Sequence, residues 1–134
     1  MSRKLDDLSK RFRPAAYEFL ARLTEAGIPV LIVTTSRTPE EQADAVKRGV
    51  SWTLKSKHLV GEALDVVPYA QYGLHGEDKL QWDAGDPVWK RIGEIGQSLG
   101  LKWGVVDGKT GLRKDLGHFE FVERPAPSAP GSNT

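Results

Sequence analysis

His58, Asp65 and His118 are of the residue types that bind a catalytic metal ion. Asp65 lies in the apolar run from Ala63 to Val67, which predicts a buried strand. A buried carboxylate is costly unless it is paired or coordinates a metal. His58 precedes this strand on a turn that contains Gly61, so the loop can bring its imidazole beside the carboxylate. Two histidines, one aspartate and a water molecule make a tetrahedral zinc site with one open position.

Two acidic residues lie near His118 in the sequence. On the predicted last strand, His118 and Glu120 share one face, whereas Phe119 and Phe121 take the other, because side chains alternate across a strand. A metal-bound water needs a general base close by. Asp115, three residues before His118, is the candidate for that base. Glu120 is expected either to hold the ring of His118 or to be a surface group, and not to bind the metal itself.

Each of these residues also has a purely structural interpretation. A hydrogen bond between His58 and Asp65 would satisfy the carboxylate without a metal, and Asp115 would then be a solvated loop acid. The His118 motif is the observation that favours the metal site over this alternative. The third histidine, His75, lies in a Gly-rich stretch and is expected to be exposed.

The order of these motifs resembles the zinc peptidases of the D-Ala-D-Ala carboxypeptidase (VanX/VanY) group, and most closely the phage L-alanyl-D-glutamate endopeptidases. The matching motifs are His-x6-Asp and acid-x-x-His, and the resemblance extends from about Pro14 to Val122. It implies one Zn²⁺ per chain, with His58, Asp65 and His118 as its ligands. It also implies that Asp115 is the catalytic base.

The same resemblance implies roles for three further residues. Arg37, which follows the first predicted strand, matches an arginine that holds the substrate or polarises its carbonyl group. Ser56 matches a serine that positions the substrate. Trp103 begins a family segment that is only partly present here, and it is expected to line the substrate cleft. The implied reaction of such a phage endolysin is hydrolysis of the L-Ala–D-Glu bond in the stem peptides of bacterial peptidoglycan.

Other functions remain open at this point. A D,D-carboxypeptidase or dipeptidase acting on D-Ala-D-Ala termini would use the same zinc site with a different pocket wall. A non-catalytic zinc domain, similar to hedgehog, would bind a partner instead, but a purely structural site needs no base such as Asp115. A nucleic-acid-binding module is disfavoured, because 19 basic and 18 acidic residues give a net charge of only +1.

The elements that must position these residues predict an α+β fold. We expect a small antiparallel sheet with helices on one side and the zinc cleft on its open face. Strands are predicted over residues 29–35, 62–67, 101–103 and 118–122, and loops over residues 69–85 and 104–114. A short helix is predicted at the N-terminus. Three longer helices are predicted to follow it, from about Pro14 to Gly27, from Pro39 to Arg48 and from Pro87 to Gly100.

The length and the termini set the expected organisation. Residues 1–123 are predicted to form the zinc peptidase domain, and residues 124–134, which are rich in Pro and Ser, a flexible tail. The chain has no cysteine, so thiolate ligands and disulfides are excluded. Its N-terminus lacks the apolar stretch of a signal peptide. We therefore expect a monomer without a membrane anchor, made in the host bacterial cytoplasm and acting on the cell wall after release.

Overall fold

A computed structural model describes residues 1–49, 51, 53–72 and 77–123 of the chain. The predictions for His75 and for the tail from residue 124 lie outside these residues. The described helices are α1 (Arg13–Glu25), α2 (Pro39–Lys47), α3 (Val88–Ser98) and the 3₁₀ helices Leu5–Asp7 and Lys57–Val60. The described strands are β1 (Val30–Thr34), β2 (Ala63–Tyr72), β3 (Glu77–Leu80), β4 (Lys102–Val106) and β5 (Arg113–Glu120). None of these helices has the length and apolar character needed to cross a membrane.

The strands form an antiparallel sheet in the order β1-β2-β5-β4, and β3 pairs with the far end of β2. In the pairing of β2 with β5, Leu64 lies opposite Phe119 and Asp65 lies opposite His118. Because successive side chains point to opposite faces, the apolar pair and the polar pair lie on different sides of the sheet. The register therefore places two of the predicted metal ligands directly across from each other.

Helices α1 and α3 cover the apolar face of the sheet, which confirms the predicted α+β fold. Phe19 of α1 and Ile92 of α3 are fully buried together with Leu64 and Phe119. The rings of Phe19 and Phe119 have their centroids 4.5 Å apart. Burial of large apolar side chains between the two layers is the main source of stability in a domain of this size.

Helix α2 begins where its sequence predicts. The Thr38 hydroxyl accepts a hydrogen bond from the backbone N–H of Glu41 at 3.1 Å, and the Glu41 carboxylate accepts one from the Thr38 N–H at 2.9 Å. Pro39 occupies the first turn, where its missing N–H costs nothing. This capping box fixes the start of α2 directly after β1, and so fixes the short connection that carries Arg37.

Two predicted loops are wrong in part. Strand β2 continues to Tyr72 and pairs with β3, where a surface insertion was expected. Strand β4 continues to Val106 and β5 begins at Arg113, where a single loop was expected over residues 104–114. Glycine and charged residues are weak strand formers, but pairing with a neighbouring strand outweighs that local preference.

Candidate metal centre and active site

His58 reaches the site from the 3₁₀ helix that precedes β2. The Ser56 hydroxyl accepts a hydrogen bond from the His58 backbone N–H at 3.1 Å, and Gly61 ends the turn with a φ of +68°. The imidazole is buried, and its Nδ1 lies 3.0 Å from the carbonyl oxygen of Thr35. Because a carbonyl oxygen only accepts, Nδ1 carries the proton. The other ring nitrogen, Nε2, faces Asp65.

Asp65 lies between the two histidines. Its Oδ2 is 3.1 Å from Nε2 of His58, and its Oδ1 is 2.7 Å from Nδ1 of His118. Burial by itself would raise the pKa of Asp65, but the contacts with His118 and His58 together outweigh burial and hold the pKa well below its usual value. The carboxylate is therefore ionised at neutral pH.

His118 contacts carboxylates through both ring nitrogens. Besides the contact with Asp65, its Nε2 lies 3.0 Å from Oε1 of Glu120. Burial disfavours the charged imidazole, but the hydrogen bonds to Asp65 and Glu120 outweigh it and raise the pKa of His118 to about 10. The negative potential that holds this proton is the potential that would attract a metal cation to the same ring.

His58, Asp65 and His118 can hold a metal ion. One ligand atom from each of them lies within 4.8 Å of the other two. Although Nε2 of His58 is buried, it makes no hydrogen bond to any residue that the structure describes. It approaches Oδ2 of Asp65 to 3.1 Å without the alignment of a hydrogen bond. The orphaned nitrogen is thus an independent sign that these donors fit a metal.

Asp115 lies beside this group in an unusual backbone conformation. Its φ is +56°, and it is the only non-glycine residue with a positive φ among those that the structure describes. Its half-exposed carboxylate has Oδ2 3.9 Å from Nδ1 of His118. Partial burial of this carboxylate, and then the charge of Asp65, raise its pKa. A carboxylate with a raised pKa is a stronger proton acceptor, as a general base requires.

Arg37 lies on another side of Asp65, in the connection from β1 to α2. Its guanidinium is 3.9 Å from Oδ2 of Asp65 and donates a hydrogen bond to Oε1 of Gln42 at 3.0 Å. Gln42 is fully buried, and its amide nitrogen donates to the Thr53 carbonyl and the Ser51 hydroxyl. The sequence reasoning missed Gln42, although an uncharged amide on the inner side of a short helix was the available signal.

Two clefts meet at these residues. The larger cleft has a volume of about 1010 Å³ and the smaller about 240 Å³. Three side chains line both of them, namely Arg37, Asp65 and Asp115. His58, His118 and Ser56 line the smaller cleft. A chain molecule can therefore lie across the predicted metal ligands with one part in each cleft.

Trp103, which was expected to line the substrate cleft, lines neither of these two clefts. Its ring packs against the backbone of Gly93 in α3, where an added methyl group would overlap the indole. Its Nε1 donates a hydrogen bond to the Leu116 carbonyl at 2.8 Å. The structure thus brings the other predicted site residues together and places Trp103 against the backbone that carries Asp115.

A family model described as phage L-alanyl-D-glutamate peptidase matches residues 3–125. The chain belongs to this family. It is 36% identical over 104 residues to the L-alanyl-D-glutamate peptidase of Listeria phage A118. That alignment covers 75% of this chain and 34% of the relative, so the chain spans about one third of the relative's length.

The fold is similar to that of the L-Ala D-Glu endopeptidase ChiX of Serratia marcescens. The two structures agree with a TM-score of 0.59 at 23% sequence identity, over 88% of this chain and 83% of that chain. At this identity the likeness shows a shared fold. The family match and the shared fold confirm the resemblance inferred from the motifs.

Proposed function

We propose that the chain is a zinc-dependent peptidoglycan peptidase, a phage endolysin that hydrolyses the L-Ala–D-Glu bond of cell-wall stem peptides. The observation that carries this proposal is the convergence of His58, Asp65 and His118 beside Asp115, where two clefts meet. Membership of the family supports the choice of bond. The Listeria phage relative and the Serratia enzyme are both named for cleavage between L-Ala and D-Glu.

The donor set favours zinc as the metal. Two imidazole nitrogens and one carboxylate oxygen are ligands of catalytic zinc, which keeps a further position open. One Zn²⁺ per chain would be held by His58, Asp65 and His118. When bound, zinc lowers the pKa of a bound water to about 7 and polarises a carbonyl group. Glu120 would hold the ring of His118 through its other nitrogen, and the Thr35 carbonyl would do the same for His58.

The remaining residues of the site would move protons and stabilise charge. Asp115 would take a proton from the attacking water and return it to the leaving amine, since its raised pKa suits both transfers. Arg37 would donate hydrogen bonds to the carbonyl oxygen as negative charge develops there. Gln42 would keep the guanidinium aimed at the site. Ser56 would contact the substrate from the smaller cleft.

The organisation of the protein is part of the same proposal. Residues 1–123 would be the catalytic domain, residues 124–134 a tail, and the chain a monomer. The stem peptide of peptidoglycan would be its partner, lying across the two clefts. The protein would be made in the cytoplasm of the host bacterium and reach the wall once the membrane has been breached.

Digestion of purified sacculi by the zinc-loaded protein tests the proposed bond. New termini are read by mass spectrometry, and newly exposed N-terminal D-Glu is expected. Release of terminal D-Ala alone would contradict the proposal and indicate a D,D-carboxypeptidase. A chelator should stop the digestion, and added Zn²⁺ should restore it.

Replacement of the base tests the proposed mechanism. Asp115→Asn should keep its zinc yet lower kcat by about 10²- to 10⁴-fold, the usual contribution of general acid–base catalysis. Asp107→Asn is the matched control, because Asp107 lies on the same β4–β5 hairpin and accepts hydrogen bonds from the backbone N–H groups of Lys109 and Thr110. Equal rates for the two variants would rule out Asp115 as the base.

A further inference from the structure

Strand β5 bulges away from β4 at the residues that carry Asp115. Between the pairs Trp103–Phe119 and Val105–Lys114, β4 contains only Gly104, whereas β5 contains residues 115–118. The extra residues of β5 interrupt its regular pairing with β4, and Asp115 has its positive φ in this interruption. Bulges commonly redirect a side chain next to an active site. A non-glycine residue keeps such a φ only where its surroundings hold it.

Gly104 lies where this bulge meets β4. A methyl group on Gly104 would overlap the carbonyl oxygen of Lys114 and lie 3.0 Å from that of Asp115. Both oxygens belong to the backbone, so only a shift of the bulge itself would relieve the overlap. The missing side chain at Gly104 therefore lets the backbone of β5 approach closely enough to set the position of Asp115.

Trp103 holds the bulge at a second point. Its indole N–H donates to the carbonyl of Leu116, the residue that follows Asp115. The indole is itself held against Gly93, and the guanidinium of Arg113 lies 4.3 Å from its ring centroid. Arg113 also donates a hydrogen bond to the Trp103 carbonyl. The donor is thus fixed in one orientation before it meets the bulge.

We propose that Trp103 and Gly104 are positioning residues that hold Asp115 in its catalytic place. This inference rests on the proposed function, in which Asp115 is the general base. Neither residue lines either of the two described clefts, so both act through the backbone of the bulge. His118 is held separately, by its pairing with Asp65 on β2. Loosening the bulge should therefore displace the base and leave the metal ligands in place.

Gly104→Ala is the first test, with Gly111→Ala as its matched control. Gly111 lies on the same hairpin with a φ of +72° and has open space around the position of a Cβ atom. Gly104 also has a positive φ, of +56°, so both variants strain the backbone, but only Gly104→Ala presses on β5. We expect kcat of Gly104→Ala to fall by about 10²-fold, since a displacement of about 1 Å can have that effect. KM and zinc content should stay unchanged, and Gly111→Ala should keep its kcat.

Trp103→Phe is the second test, and it still tests the proposal if Gly104→Ala does not fold. The change removes the N–H donor and keeps an aromatic ring. We expect kcat to fall about tenfold with unchanged KM and zinc content, as for loss of one aligned hydrogen bond. Because Trp103 acts through Asp115, the double variant Trp103→Phe/Asp115→Asn should be no slower than Asp115→Asn alone. A further tenfold loss in the double variant would reveal a general structural role and overturn the proposal.

The outcomes separate this inference from the proposed function. If the wild-type protein does not cleave L-Ala–D-Glu peptides, the proposed function fails and the positioning role fails with it. If the wild type is active but Asp115→Asn is fully active too, the proposed base and the positioning role fail while the proposed function stands. If the wild type is active and Asp115 is essential, but Gly104→Ala and Trp103→Phe keep their kcat, only the positioning role is overturned.

Discussion

Leu64 and Phe119 face each other across strands β2 and β5, and so do Asp65 and His118 one residue further along. The first pair is fully buried against α1 and α3 and is stabilised by apolar surface removed from water. The second pair is joined by a 2.7 Å hydrogen bond between opposite charges. An apolar side chain can be shortened with a loss of stability that grows with the volume removed, whereas removal of one charge leaves the other buried and unpaired. The two faces should therefore respond differently to substitution.

The largest effect is expected on the polar face, at the shared carboxylate. Asp65→Asn removes the negative charge that lies between both imidazoles, and with it the metal. Activity on sacculi should fall by about 10³-fold or more, since metal catalysis supplies several kcal/mol. Metal analysis of the purified variant checks the cause. Asp6→Asn, a change near the N-terminus, is the control, and retention of zinc and activity by Asp65→Asn would contradict the site.

On the apolar face we expect a loss of stability without a loss of chemistry. Phe19→Ala leaves a cavity beside Phe119 and should lower the free energy of unfolding by about 3–5 kcal/mol. Urea denaturation measures this change, while kcat of the folded protein at low temperature should match the wild type. Tyr17→Ala changes a half-exposed ring of the same helix and should have little effect. A lower kcat for folded Phe19→Ala would mean that the two faces are coupled.

The difference between these faces was predictable from the sequence, because it follows from alternation. Residues 118–121 alternate polar and apolar side chains, and Asp65 interrupts an apolar strand. Together with the spacing from His58, these local signals identified the candidate ligands. The capping box at Thr38 was equally local, since its donor and acceptor lie three residues apart.

The bulge and the network behind Arg37 were not predictable from local signals. The position of Asp115 depends on how many residues β5 has opposite Gly104, which is a property of strand pairing. The glycines and lysines of residues 104–114 are typical of a loop, so the hairpin pairing was hidden. Gln42 joins Arg37 to Ser51 and Thr53, and only the fold brings those residues together.

A smaller effect is expected at Glu120, which contacts the proposed metal ligand His118 but is not itself a proposed ligand. Glu120 accepts from Nε2 of His118, and this hydrogen bond lowers the pKa of Glu120. Glu120→Gln keeps an acceptor but removes the charge, so zinc affinity should fall by about 10- to 100-fold. Competition with a chromogenic chelator measures this affinity. Glu123→Gln, at an exposed position, is the control, and equal affinities would remove Glu120 from the site.

The smallest effect is expected for Arg11, next to strand β2, which can stabilise the fold both through its charge and through apolar packing. Arg11 donates to the buried carboxylate of Glu62, and its guanidinium also lies 4.8 Å from the ring centroid of Phe121. The hydrogen bond from Arg11 outweighs burial and holds the pKa of Glu62 below its usual 4.5. A carboxylate whose pKa is lowered by folding stabilises the protein above its unfolded pKa, and this contribution is lost as the pH falls through the folded value.

Arg11→Met separates the two contributions at this position. The urea midpoint of the variant should lie below that of the wild type at pH 7, and the two should converge as the pH drops below the lowered pKa of Glu62. Arg22→Met, which breaks an exposed pair with Glu18, should show a smaller difference at every pH. A difference that persists at low pH would mean that Arg11 stabilises the fold by packing on Phe121. Arg11 would then stabilise the fold by removing apolar surface from water, as the residues of the apolar face do, although it also forms an ion pair with a carboxylate.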